Sequence, residues 1–167
     1  IWAKVFERNR DHGNEQVPLD AKFNGRYSIA IGVDKEMTKT IKKWNRHYEG
    51  KAISTMKNKE MFEDMVAVHG DELTFFTFWR NHTHVIKNGD TVDAWGGAPV
   101  VVDKGNFAWD SDVNIGNGSE CTVKLSVSSV GTKTYVRLEG VRVEDLNEFE
   151  GEKAEVEVEN HSDGLPF

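Results

Sequence analysis

The chain is poor in cysteine, in proline and in long apolar runs. Its single cysteine, Cys121, excludes an intramolecular disulfide framework and a cysteine-based zinc site, and it suits a reducing compartment. The three prolines build no rigid linker. No Gly/Ser-rich stretch or internal repeat divides the 167 residues, a length that suits one domain with its own core. No apolar run approaches the ~18 residues needed to span a bilayer. No basic-then-apolar leader opens the chain, and its start at Ile1 rather than Met reads as trimming. What is present, 38% hydrophobic and 29% charged residues, is the balance of an ordinary globular domain.

Charge is unevenly placed. The formal net charge is −7, but residues 144–167 hold nine acids and one base, Lys153. Removing that segment leaves 20 bases against 19 acids. The reading is therefore a near-neutral body, 1–143, carrying an acidic tail, 144–167. Such asymmetry points to an interaction tail and makes nucleic acid a partner to consider for the body.

Periodicity then sets the organisation. A short strand is expected at Trp2–Phe6. In Gly25–Asp34, Tyr27, Ile29, Ile31 and Val33 alternate with Arg26, Ser28, Ala30 and Gly32, a strand with one apolar face. The small residues opposite admit another backbone closely, and Gly32 is a candidate bulge. Asp34 can cap a helix from Lys35 to Tyr48, with Met37, Ile41, Trp44 and Tyr48 on one stripe and Gly50 beyond it. A second helix, Lys59–Val68, would bury Met61, Phe62, Met65 and Val66. Residues 35–59 hold eight bases and two acids.

The remainder reads as strands. Glu72–Arg80 is strongly β-forming, and Asn88-Gly89 marks a hairpin. Pro99–Lys104 is a short buried strand. Cys121–Val127 alternates with Cys121, Val123, Leu125 and Val127 inward. Thr134–Val143 alternates at Val136 and Leu138, then changes phase at Gly140 to Val141 and Val143, as a strongly bent strand would. Several strands with a helix inserted early suggest a small curved barrel.

Enzyme readings fail on spacing. Asp110-Ser-Asp112-Val-Asn114 opens like a calcium loop, but position six is Ile115 and position twelve is Cys121. Gly116-Asn-Gly-Ser119 lacks the lysine of a phosphate loop. His82-Thr-His84 with His69 has no placed carboxylate, so no metal is expected. Cys121 lies in the apolar register and reads as core. Three glycosylation sequons, at Asn81, Asn117 and Asn160, lack a secretion signal. No cofactor is expected.

Two features carry function. The acidic end finishes in Asp163-Gly164-Leu165-Pro166-Phe167. A charged, aromatic-poor segment cannot bury enough surface to fold. A purely solubilising tail has no need of two large apolar side chains beside a free carboxylate, whereas a pocket could take the Phe167 ring. Pro166 limits the entropy lost on docking. The second feature is aromatic residues interleaved with bases. Single strands bind without sequence preference on aromatic platforms beside basic grooves. Trp95, Phe107 and Trp109 sit in loop-like sequence. Arg26, Arg80, Lys104, Lys124, Lys133 and Arg137 emerge at strand or loop edges as phosphate candidates.

The ending resembles the acidic tail and Asp-x-x-Pro-Phe tip of bacterial single-stranded DNA-binding proteins, with Gly164 where those usually carry another acid. The body's order resembles bacteriophage replication single-stranded DNA-binding proteins. The matching segments are Gly25-Arg26-Tyr27, Phe76-Thr77-Phe78, Val100-Val101-Val102-Asp103, Gly118-Ser119 with Val123-Lys124, and Val136-Arg137-Leu138-Glu139-Gly140-Val141. The resemblance covers roughly residues 22–167. It implies a mainly β OB-fold: a five-stranded Greek-key barrel with one or two inserted helices and a disordered acidic tail. It also implies that Phe76 and Phe78 are core, leaving Phe75, Thr77 and Trp79 to the groove.

The expected function is non-sequence-specific binding of single-stranded DNA in phage replication, recombination or repair, in the host bacterial cytoplasm, with no chemistry. The binding set is Arg26, Phe75, Thr77, Trp79, Arg80, Lys104, Phe107, Trp109, Lys124 and Arg137. The tail would compete for the groove and recruit a polymerase, helicase or primase through Asp163, Leu165, Pro166 and Phe167. A homodimer is left open, and no membrane is involved. Two rivals remain at this stage. One is an adaptor acting through its tail without touching DNA. The other is a carbohydrate- or nucleotide-processing enzyme using Asp103, Asp110 and Asp112.

Overall fold

The computed structural model describes residues 3–12, 25–44, 49–56, 62–88 and 91–147, with the side chains of 64, 83–88 and 91–95 outside the description. Residues 148–167 of the expected disordered tail, the 45–48 end of the first expected helix, residues 59–61 of the second and Gly89 of the expected hairpin lie outside the described residues.

The described fold is mainly β. In chain order it runs β1 (Arg26–Val33), α1 (Lys35–Trp44), β2 (Lys51–Ala52), a short 3-10 turn (Ile53–Thr55), α2 (Glu63–His69), β3 (Thr74–Asn81), β4 (Thr83–Asn88), β5 (Thr91–Gly96), β6 (Val100–Asp103), β7 (Glu120–Val130) and β8 (Lys133–Asp145). The ladders are β1-β3-β2, β4-β5 and β6-β8-β7. These three ladders close no five-stranded ring among the described residues, which corrects the expected closed barrel. Of the expected strand at Trp2–Phe6, Trp2 lies outside the described residues and the rest makes a single bridge, Lys4 with Ser28. Trp95, read as a loop residue, lies in β5.

The apolar face read from alternation in β1 is an inner face, and so is the Phe76–Phe78 face that the resemblance implies for β3, whereas Val127 on β7, expected inward, is 44% exposed. Ile29, Phe76 and Phe78 join Leu138, Val141 and Val143 in one buried cluster, which Ala3, Val5, Phe6, Ile41 and Ile115 complete. Phe76 and Phe78 are therefore core, each only 1% exposed. Asp34 caps α1 as expected, its Oδ1 accepting from the Met37 amide at 2.8 Å. That helix delivers Ile41 to the core.

Gly32 makes no bulge, since β1 pairs with β3 in unbroken register. Its missing side chain accommodates the Phe75 ring, which a Cβ would meet at 3.0 Å. The phase change in β8 is a bulge: Lys124 faces Gly140 and Leu125 faces Leu138, which leaves Glu139 unpaired between them. A Cβ at Gly140 would lie 2.9 Å from the Val100 carbonyl oxygen, so glycine admits β6 in parallel beside β8.

β8 runs on through Glu144 and Asp145, which the sequence reading gave to the tail. Asn147 then clasps the turn before β7. Its side-chain amide donates to the Asn117 carbonyl at 2.5 Å, and its own carbonyl accepts from the Gly116 amide at 2.8 Å.

Candidate nucleic-acid interface

Each sheet has a second face, and the candidate residues divide between two of them. On β1–β3 that face carries Arg26, Ser28 and Ala30 opposite Asn81, Trp79 and Thr77. Trp79 is 41% exposed and Thr77 is exposed. The Arg26 guanidinium carbon sits 5.9 Å from the centroid of the Trp79 ring. This is a cation–π pair.

Phe75 shares that face by alternation but is not open to a ligand. It is 7% exposed and packs with Ile53 and Phe62 under Met56, Met65, Val66 and Leu73. Its ring centroid is 5.4 Å from that of Phe62. The 3-10 turn and α2 cover this end of the sheet, which period-two alternation cannot reveal. Phe75 is core, a correction to the expected binding set.

The outer face of β6–β8–β7 carries the second group. After β6, the Asp103 carboxylate accepts from the amides of Gly105, at 2.8 Å, and Phe107, at 3.0 Å. Asn106 takes a positive φ of 64° within this turn. The turn holds Phe107 74% exposed, next to the exposed Lys104. The ring lies over Gly105, where a Cβ would meet it at 3.0 Å, and is otherwise open to solvent. Lys124 is exposed on β7, and Thr122 faces Arg142 one step along the same ladder.

Arg80 and Arg137 both turn to one carboxylate. Glu139, the bulged residue, accepts from Arg80 at 2.7 Å, from Arg137 Nε at 2.6 Å and from the Ser126 hydroxyl at 2.6 Å. Arg80 also donates from Nε to the Gly97 carbonyl at 2.9 Å. Burial alone would raise the Glu139 pKa, but the Ser126 hydroxyl and the two arginines outweigh it and hold the carboxyl below its usual range. The structure thus brings Arg80 and Arg137 together around an internal anion. Sequence reasoning missed Glu139, although the phase change at Gly140 marked the bulge that presents it. It also missed Arg142, whose Nε donates to Glu144 at 2.7 Å.

Trp109 is half-buried rather than displayed. It packs against the main core, and its indole N–H donates to the Val113 carbonyl at 3.1 Å. Cys121 packs against the same core, and burial pushes its thiol up to about 11. His82 stands 3.6 Å from Glu7 and against the Tyr27 ring. Among the described residues no group of three His, Cys, Asp or Glu side chains could hold a metal ion. No described helix is long and apolar enough to cross a membrane.

No protein-family model and no curated protein sequence matches the chain. Among solved structures the chain is similar to the crystal structure of gp2.5, a single-stranded DNA binding protein encoded by bacteriophage T7. The identity is 18%, the match covers 86% of each chain, and the TM-score is 0.44.

Proposed function

We propose that the protein binds single-stranded DNA without sequence preference, in phage DNA replication and in the recombination or repair linked to it. The observation that carries this reading is Phe107, held in solvent by the Asp103 turn beside Lys104. Trp79 with Arg26 repeats the same pairing of ring and cation on a second face. Stacking one unpaired base on such a ring contributes about 1–3 kcal/mol. Thr77, Lys124, Arg80 and Arg137 complete the proposed contact set, the last two after exchange of Glu139 for phosphate. Duplex DNA hides its base faces, so the rings select unpaired strands. On this reading the fold is an open relative of the OB barrel, and the protein works in the host cytoplasm without chemistry.

The acidic tail supplies the second half. Residues 148–167 hold seven acids against Lys153 and end in Leu165-Pro166-Phe167. The tail competes with DNA for the cations and, once displaced, presents Asp163, Leu165, Pro166 and Phe167 to a replication protein. Mobility shifts across a salt series, with the full chain and a chain ending at Asn147, test this. The shortened chain is expected to bind a single strand more tightly, most at low salt. Equal affinity of the two chains at every salt concentration would overturn the competition.

A further inference from the structure

A cleft of about 630 Å3, apart from the residues proposed to meet DNA, is lined by β1, the near ends of α1 and α2, and the segment 115–121. Its apolar side includes Phe62, Met65 and Phe75, with Met37 and Val68 at its mouth. Those two are 45% and 76% exposed. The opposite wall is held in place. Asn147 ties the 116–119 turn to the end of β8 through its amide and through the Ser119 hydroxyl, which donates to the Asn147 carbonyl at 3.1 Å.

Among the described residues, Asp34, Glu120 and Asp145 line the cleft together with His69, and no lysine or arginine does. Asp34 is occupied in capping α1. Glu120 and Asp145 stand directly opposite each other across the β7–β8 ladder. Like charges in that relation destabilise a sheet, and neither residue makes an ion pair among the described residues. The chain leaves this rim at Asn147, and its next 20 residues add seven acids in sequence.

We propose that the cleft docks a basic amphipathic helix of a partner protein. An apolar stripe would fill the space between Met37, Met65 and Val68. Lysines or arginines flanking the stripe would relieve the Glu120–Asp145 repulsion. Methionine at two lining positions suits such a face, because the flexible thioether adapts to varied side chains. The proposal is independent of DNA binding, since none of the residues proposed to contact DNA lines the cleft.

The test is a fluorescence-anisotropy titration of the full chain with a labelled leucine–lysine peptide in helical register. A leucine–glutamate peptide of the same pattern is the control. The lysine peptide is expected to bind and the glutamate peptide to fail. Met37→Gln with Val68→Gln, both exposed positions, should weaken binding about tenfold or more while the circular dichroism spectrum stays unchanged. Glu120→Gln with Asp145→Asn should weaken it and flatten its salt dependence. Lysine-peptide binding that ignores the Met37 and Val68 changes would overturn the proposal and assign the attraction to the tail. No binding would overturn it as well. So would a wild-type dimer that the same two changes convert to monomer, since a second copy would then fill the cleft.

Discussion

Arg80 and Glu139, 59 residues apart in sequence, meet at 2.7 Å on the outer side of β8. Arg137 and Ser126 donate to the same carboxylate. The carboxylate stands where a phosphate would stand if both guanidinium groups served DNA. Glu139→Gln removes the internal anion and leaves a side chain of nearly the same shape. Single-strand affinity should rise several-fold at low salt. The slope of log affinity against log salt should steepen by roughly 0.7 for each guanidinium that gains a phosphate. Thermal denaturation should show a lower Tm, because charge-assisted hydrogen bonds are lost.

Phe107 and Phe75 separate binding from stability. Phe107→Ala removes a ring that is 74% exposed. The expected result is an unchanged Tm with single-strand affinity weakened by about 1–3 kcal/mol, the worth of one stacked base. Phe75→Ala empties a buried site between Ile53 and Phe62. It should cost about 3–5 kcal/mol of stability. Denaturant unfolding and oligonucleotide titration of both variants check the pair.

This contrast also marks how far the sequence could be read. Alternation gave the inner face of β1 and separated the two faces of β3 and β7, because each strand's period is local. Val127 on β7, expected inward, is 44% exposed, and alternation did not say which face of β3 turns inward. It correctly placed Phe75 and Trp79 on one face. It could not show that α2 and the 3-10 turn cover one end of that face and leave the other bare, because cover is a tertiary fact. Gly140 announced a bulge through its phase change. The bulged Glu139 gathers partners from β3 and β7, and no short window contains that geometry. Phe107 stood out as an aromatic in loop-like sequence, but Trp109 had the same sequence signature and turned inward to Val113.

The Glu7–Tyr27 pair should make stability pH-dependent at both the acid and the alkaline end. Glu7 accepts from Arg10 at 2.8 Å and from the Tyr27 hydroxyl at 2.6 Å. These bonds, Arg10 first, lower its pKa from 4.5 to about 2. The folded form thus favours the carboxylate. Its contribution is complete above pH 4.5 and is lost as pH falls toward 2. Burial, then the bond to Glu7, raises Tyr27 from 10 to about 12. The folded form thus favours the neutral phenol, whose contribution is complete below pH 10 and is lost as pH rises through 12. In Glu7→Gln the fall of Tm between pH 4.5 and 2 should be shallower than in the wild type.

Gly140→Ala tests the parallel pairing of β6 with β8. The new methyl group would press on the Val100 carbonyl oxygen at 2.9 Å. The backbone of β6 must then move, at a cost of about 1–3 kcal/mol. Amide hydrogen exchange should speed up first along Val100–Asp103, with the β1–β3 ladder less affected.

The most direct test is an anisotropy titration of labelled oligo-dT and of a duplex of equal length, in dilute buffer. The wild type is compared with a variant carrying Trp79→Ala and Phe107→Ala together. The wild type is expected to prefer the unpaired strand, and the double variant to lose most of that preference while keeping its fold. Failure of the wild type to bind oligo-dT, or equal binding of both strand forms, would contradict it.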